Sequence, residues 1–290
     1  MQRLGLERRA TRWAGRIDEQ PLQRLTDLFQ RCATCCFEPG SHALVAGGSE
    51  GRRAFMDWGV FHVEREFLGQ WRRYQLALRQ RNVLLKASAV DDQFEPWEAE
   101  MARSGTLITR FRQEYVVRLG LAFATVASRV VPELDGPGID FVAGWDAGHE
   151  AGLGEQLGAR RSHDRHRLTS TIGAHRSDWR PRFASGDSAA TLSRGQQKLV
   201  ALSLVLAQAS VFRDQAGEWP VMLFDDLPSE LDSVHQELLL SELLACQAQC
   251  LITATELSGP MRELVDQVRQ FHVERGVVTI QMDRGSNPVT

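Results

Sequence analysis

Two stretches decide how this chain is read: Thr191-Leu192-Ser193-Arg194-Gly195-Gln196-Gln197-Lys198 and, further along, Val221-Met222-Leu223-Phe224-Asp225-Asp226. In the first, a small residue, Ser193, and a glycine, Gly195, stand where loop turns into helix. A glycine has no side chain to hold a ligand off the backbone. The start of the following helix offers unpaired N–H groups and the positive end of its dipole to an anion such as phosphate. Leu199, Leu202, Leu206 and Ala209 recur at helical spacing and give the helix a buried face. The same letters also describe an ordinary amphipathic helix with a serine cap. The second stretch is an uninterrupted apolar run, the pattern of a strand buried on both faces. It stops abruptly at two aspartates, whose burial is costly unless they meet a cation or a donor. Asp225 is thereby a candidate magnesium ligand, through water, and Asp226 a candidate for orienting or deprotonating an attacking water. The competing reading is a strand that runs out into an acidic surface loop. The glycine turn upstream and Ser229-Glu230-Leu231-Asp232 downstream weigh against it.

Together the stretches have the form of an ATP-binding-cassette signature loop and a Walker B strand. Around them lies a wider resemblance, to the RecF family, a branch of the ABC-type ATPases related to the heads of structural-maintenance-of-chromosomes proteins. The segment Gly47-Gly48-Ser49-Glu50-Gly51-Arg52-Arg53-Ala54-Phe55-Met56-Asp57-Trp58-Gly59 is similar to that family's glycine, double-arginine, Phe-x-Asp-Trp segment. Gln80-Arg81-Asn82 resembles its following helix. Gly173-Ala174-His175-Arg176-Ser177-Asp178 resembles its Gly-Pro-His-x-x-Asp segment, with Ala174 in the usual place of proline. The motifs occur in the family's order, from near Leu4 to near Val278.

The resemblance implies an α/β fold: an ABC-type ATPase head, with a mixed or parallel sheet and helices, carrying an inserted, mainly helical second lobe. It divides the chain into part of head lobe I (residues 1–53), helical lobe II with a short strand-containing segment (54–190), and the signature helix, Walker B and C-terminal part of the head (191–290). It implies a cytoplasmic, ATP-dependent homodimer that binds gapped or single-strand/double-strand junction DNA and, with RecO and RecR, promotes recombinase loading. Ser193, Arg194, Gly195 and Gln196 would meet the partner subunit's ATP in trans. Asp225 would serve Mg2+ in cis, Asp226 would position water, and Ser229 and Asp232 would lie at the dimer seam. His175 and Asp178 would lie near the nucleotide or head interface. Thr255 or Glu256 would stand where a histidine often follows the next strand. Arg52, Arg53, Arg72 and Arg73 are candidate DNA contacts.

Departures from the family are as informative. The family opens with a strand and a Gly-x-x-x-x-Gly-Lys-Ser/Thr loop. This chain has two lysines, Lys86 and Lys198, and neither lies in such a pattern. Gly47 to Arg53 is glycine-rich but ends in arginines. A metal-contacting glutamine is replaced around Cys35. The reading adopted is a chain truncated at its N-terminal, phosphate-loop part, with ATP bound weakly and hydrolysed negligibly. Rival readings are another SMC-like ATP-binding protein, against which the Arg-Arg-Ala-Phe-Met-Asp-Trp-Gly segment argues, and a non-enzymatic DNA-binding or partner-docking remnant.

Bulk properties set looser bounds. The 290 residues suffice for a substantial core, and a net charge of −3 does not announce a nucleic-acid binder. Arginines nevertheless cluster, as at Arg72-Arg73 with Arg79 and Arg81, and at Arg160-Arg161 with Arg165 and Arg167, either gripping phosphates or merely solvating helix faces. No apolar run is long enough to cross a membrane, and Met1 to Asp18 lacks the apolar centre of a signal peptide. The five cysteines fit reduced thiols better than zinc ligands. Two aromatic and aliphatic stripes, Phe67-Trp71-Tyr74-Leu78-Leu85 and Ile108-Phe111-Tyr115-Leu119-Ala122-Val126-Val130, predict two antiparallel helices packed together. Strands are expected at Ile139 to Val142, Trp179 to Phe183 and 249–254, helices at 233–246 and 259–268, and a hairpin near Gly276.

Overall fold

The computed structural model describes residues 3–10, 12–87, 89–184 and 191–281. Residues 185–190 of the expected helical lobe and 282–290 of the expected C-terminal part lie outside the described residues. The chain opens with an antiparallel sheet of β1 (Leu4–Arg9), β2 (Arg12–Ile17) and the short β3 (Gln20–Pro21). After α1 (Thr26–Arg31), β4 (Thr34–Phe37) enters the second sheet, and α2 (Ala43–Ala46) leads into the helical layer. That layer is α3 (Ser49–Val63), α4 (Phe67–Lys86) and α5 (Glu95–Val130). A second antiparallel pair, β5 (Gly138–Val142) and β6 (Asp178–Arg182), brackets α6 (Leu153–Ala159) and α7 (Arg161–Arg167). The chain then runs through α8 (Arg194–Ala216), β7 (Val221–Phe224), α9 (Leu227–Glu230), α10 (Ser233–Cys246), β8 (Cys250–Ile252) and α11 (Gly259–Glu263), and the hairpin β9 (Gln270–Glu274) and β10 (Val277–Gln281) follows. The boundary expected at 53/54 falls inside α3, and two short helices stand between β5 and β6.

β4, β7 and β8 form a parallel sheet in that order, with Cys36 beside Leu223 and Leu223 beside Leu251. Parallel neighbours need crossovers; α8 lies on the long route from β4 to β7, and α10 on the route from β7 to β8. Side chains alternate across the sheet. Cys35, Phe37, Met222 and Phe224 are buried, whereas Val221 and Leu223 are half-buried and Leu251 is exposed. The expectation that β7 is buried on both faces is therefore corrected: its apolar run covers one face fully and the other in part. The hairpin β9–β10 likewise leaves Phe271, Val273, Val278 and Ile280, which share one face, open to solvent.

α5, 36 residues long, is the spine of the molecule. Its buried stripe of Ile108, Phe111, Tyr115, Leu119, Val126 and Val130 is the one the periodicity predicts, with Ala122 only partly buried. α4 packs against it through Phe67, Tyr74, Leu78 and Leu85. α8 packs on α5 as well, and from Leu199 to Ala209 every residue is buried, so the helix is covered all round where its periodicity predicts one buried face. Gly59 lets α3 approach α5 closely, because a β-carbon there would collide with the ring and hydroxyl of Tyr115. That tyrosine cannot give way easily: Gln208 of α8 donates to its hydroxyl (3.2 Å) and to the Phe55 carbonyl (2.8 Å). One amide thus ties α8 to α3 and α5.

Three buried arginines knit the layers together. Arg52 of α3 makes a bidentate pair with Asp178 (2.8 Å to each oxygen), and Arg112 of α5 a bidentate pair with Asp57 plus bonds to the Ala174 carbonyl and Ser177 hydroxyl. Arg81 of α4 bonds Glu98, Asp164, Ser170 and the Leu157 carbonyl. The segment 164–178 is therefore pinned by one cation each from α3, α4 and α5.

Candidate nucleotide-facing edge

The C-terminal ends of the parallel strands carry the acidic pair, as expected for a ligand edge in an open α/β sheet. Asp225 follows β7, and its N–H donates to the Phe37 carbonyl at the end of β4 (2.9 Å). Asp226 adopts a left-handed backbone conformation (φ 49°), uncommon for a residue other than glycine. Thr253, directly after β8, organises both aspartates. Its hydroxyl donates to Asp225 Oδ1 (2.6 Å) and accepts the Asp226 N–H (2.8 Å). Its backbone N–H donates to the Phe224 carbonyl (2.9 Å), and its own carbonyl accepts the Leu227 N–H (3.2 Å). Asp225 is exposed, and Asp226 Oδ1 is sheltered from water with no hydrogen-bond partner among the described residues. Sequence reasoning looked to Thr255, which is exposed two residues further on, and missed Thr253. Its signal was a hydroxyl at the end of the strand that pairs with β7.

Oxygen ligands of this kind fit a magnesium ion. Mg2+ takes one or two carboxylates and fills its remaining positions with water and substrate phosphates. Among the described residues no group of three or more His, Cys, Asp or Glu side chains is placed to hold a metal by itself. Asp225 and the partnerless oxygen of Asp226 would hold the ion, and its chemistry there would be charge neutralisation on a phosphate. Cys35, expected at the glutamine position, instead turns inward: burial pushes its thiol up to about 12. Cys36 on the other face lies near Asp225 and Glu38, and burial, with the charges of both carboxylates, raises its pKa.

The signature turn is a helix cap in full. Ser193 Oγ accepts the Gln196 N–H (3.2 Å) and Gln196 Oε1 accepts the Ser193 N–H (2.9 Å), a reciprocal capping box. Ser193, Arg194, Gly195 and Gln196 are nevertheless all exposed. Among the described residues, a β-carbon at Gly195 would meet nothing nearer than Ser193 Oγ at 3.9 Å, so none of them calls for glycine there. Lys198, one turn in, is paired with Glu230 of α9 (3.1 Å). Ser229 is exposed, its N–H donating to the Asp226 carbonyl (3.0 Å). Asp232 caps α10 and accepts the His235 N–H (3.0 Å).

His235 sits between Asp232 (2.8 Å) and Glu133, just beyond α5 (2.9 Å). Burial lowers its pKa, but hydrogen bonds to both carboxylates, with their charges, outweigh this and leave it raised. Asp232 is shifted the other way, below the usual carboxylate range, first by the His235 N–H and then by its ring. Because the histidine's folded-state pKa is raised, its contribution is complete below the ordinary histidine value and fades as pH rises through the raised one. The aspartate's contribution is lost as pH falls through its depressed value. The clamp is therefore strongest between the two. In an NMR titration His235 should ionise above the ordinary histidine value of about 6.5, and Asp232→Asn or Glu133→Gln should each bring it down; an unshifted or lowered midpoint in the parent chain would contradict the clamp.

Other sequence candidates take different roles. Arg52 does not face a phosphate backbone, since its guanidinium is consumed by Asp178 and the Gly47 carbonyl. Arg53 is half-buried and donates to the Ser177 carbonyl (3.0 Å), while Arg72 and Arg73 are exposed on α4. His175 is enclosed rather than presented to a ligand. Its Nε2 faces the Ser170 carbonyl (3.0 Å), which can only accept, so Nδ1 accepts the Tyr74 hydroxyl (2.8 Å). Burial lowers its pKa to about 4, so the ring stays neutral at physiological pH. Asp178, likewise expected near the nucleotide, serves as the counter-ion of Arg52.

A parallel sheet ending in a paired aspartate, a capped signature helix with an exposed first turn, and a helical layer inserted between them define an ABC-type ATPase head with a helical insertion. DNA replication and repair protein RecF of Xanthomonas euvesicatoria pv. vesicatoria (strain 85-10) is 44% identical over 279 residues, covering 96% of this chain and 76% of that protein. The protein of the same name from Stenotrophomonas maltophilia (strain R551-3) is 42% identical over 274 residues, covering 94% and 75%. The chain belongs to the RecF family of DNA replication and repair proteins. A solved structure of the recombination mediator protein RecF with ATP, of the RecFOR pathway, superimposes with a TM-score of 0.80 at 20% identity, covering 97% of this chain and 77% of the other. At that identity the likeness is one of fold. No family model matches the chain. No helix among the described residues is long and apolar enough to cross a membrane.

Proposed function

We propose that this chain acts as a RecF-type DNA-repair head, binding DNA at gaps and single-strand/double-strand junctions and working with RecO and RecR to load recombinase. On this reading residues 1–53 and 191–290 form the head and 54–190 the inserted lobe. The signature edge, Ser193 to Gln196, closes on ATP and Mg2+ held by a second subunit. Asp225 serves the ion in its own subunit, Asp226 positions water, and Ser229 and Asp232 lie along the seam.

The observation that carries the reading is at Gly195. A glycine in an exposed first turn costs helix stability relative to alanine, and no atom of the described residues crowds the position. Its use is explained by close approach of something outside the chain, and the helix start favours an anion.

A second reading, a DNA-binding or partner-docking protein without ATPase activity, is favoured by the lysines. Lys198 is paired with Glu230, and Lys86 sits exposed at the far end of α4. The two readings share DNA binding. A labelled duplex with a single-stranded gap should bind more tightly than the same duplex without one, at equal salt, in an anisotropy titration. Equal affinity for both would refute the junction role.

A further inference from the structure

The arginine-rich stretch that follows α6 is split by the fold into two sets. Arg161 and Arg165 turn inward to Glu98 and Asp91. Arg160 and Arg167 stay exposed. On the outward side lies an open hollow of about 500 Å3 lined by His163, Arg167, Thr169, Thr171 and Arg176.

The local chain geometry builds this hollow. His163 and Arg167 are four residues apart on α7 and so share a face. Leu168, in the left-handed conformation (φ 55°), ends the helix. The loop then returns to Asp164, whose carbonyl accepts the Thr169 N–H and whose Oδ1 accepts the N–H (3.1 Å) and hydroxyl (2.6 Å) of Thr171. Arg176 is anchored by Nε and Nη2 to the Ser170 carbonyl (3.4 and 3.1 Å), and among the described residues Nη1 meets no acceptor. Asp164, the acid beneath the floor, is neutralised by Arg81 at 2.6 Å.

The lining holds two permanent cations, a histidine and two threonines, and no carboxylate. Among the described residues neither Arg167 nor Arg176 is paired with an acid. In a chain of net charge −3 such a lining is a local inversion of sign. Guanidinium forks match the oxygens of a phosphate. The shape narrows the ligand further. Small-molecule sites enclose most of their ligand; this hollow is open and would leave a free anion largely hydrated. A polymer that passes over it gains other contacts along its length.

We infer that the hollow is a subsite for a backbone phosphate of DNA, distinct from the nucleotide-facing edge. The inference rests on the DNA reading above and adds the place where the helical lobe grips the strand. Each phosphate contact contributes about one unit to the dependence of log affinity on log salt concentration. In anisotropy titrations of the 290-residue chain with a labelled gapped duplex, Arg167→Ala should weaken binding roughly threefold to tenfold near 0.1 M salt and reduce the salt slope by about one. Arg167→Lys should keep most of the slope. Arg103→Ala, an exposed arginine on α5 outside the hollow, should change neither quantity.

An Arg167→Ala protein that binds like the parent, or a loss equal to that of Arg103→Ala, overturns the proposal while leaving the DNA reading intact. Failure of the parent chain to bind the duplex overturns both. Inorganic phosphate exchanged for chloride at matched ionic strength should compete no better than chloride. Strong competition would mark a site for the free anion and overturn the assignment to a backbone.

Discussion

Replacing Arg81 with leucine is expected to destabilise the chain by about 3–5 kcal/mol, the usual consequence of removing one partner from a buried charge pair. Arg81 is fully buried, and its guanidinium bonds Glu98 (3.0 Å), Asp164 (2.6 Å), Ser170 (2.8 Å) and the Leu157 carbonyl (3.0 Å). The two carboxylates do not suffer equally. Glu98 keeps Arg161 at 2.6 Å, whereas Asp164 is wholly buried and keeps only neutral donors from Thr171. The cost therefore falls chiefly on Asp164, and Arg81→Leu combined with Asp164→Leu should recover part of it by removing the uncompensated charge. Urea unfolding of the parent, single and double variants measures both effects. A single-variant loss below about 1 kcal/mol, the level of an exposed pair, would mean that the cluster is not buried as described.

The second large effect concerns nucleotide. The 290 residues contain no Gly-x-x-x-x-Gly-Lys-Ser/Thr loop, and their two lysines are Lys86 and the ion-paired Lys198. Hydrogen bonds to charged groups contribute about 1.5–3 kcal/mol each. Absence of a lysine contact and one cradling N–H therefore removes about 3–6 kcal/mol, a factor of roughly 10² to 10⁴ in affinity. A fluorescent ATP analogue titrated into this polypeptide should bind with a dissociation constant in roughly the millimolar range rather than the micromolar, and phosphate release should match the buffer blank. Asp225 and Asp226 would hold an ion on the proposed reading, but they repel the triphosphate until it arrives. Binding at low micromolar concentration would show that another part of the chain cradles the phosphates.

The most legible parts of the fold were those with a long period or an abrupt change of character. The stripes of α4 and α5, the cap at Ser193 and the apolar run ending in Asp225-Asp226 could all be read directly. The pairing of β4 beside β7 could not, because four residues, two of them cysteine, carry too little pattern to choose a neighbour. Arg52 misled because an arginine doublet beside glycines looks like a phosphate grip. Yet Arg52, Met56, Gly59, Val60 and Val63 recur at helical spacing, and this placed the guanidinium on the buried face of α3. The contact of Thr253 with Asp225 depends on strand register across 28 residues, which a single sequence does not display. His175 was singled out by its motif, and only the fold encloses it between Tyr74 and Ser170.

The central claim is that the exposed signature edge serves a nucleotide held by another subunit. Its most direct test is sedimentation of this chain mixed with a RecF-family protein that carries the phosphate loop, with and without ATP and Mg2+. The account predicts a mixed dimer that forms only with ATP and is lost in Gly195→Glu, a variant that should fold normally because the position is open. A mixed dimer that forms without ATP, or one that Gly195→Glu leaves untouched, would contradict it.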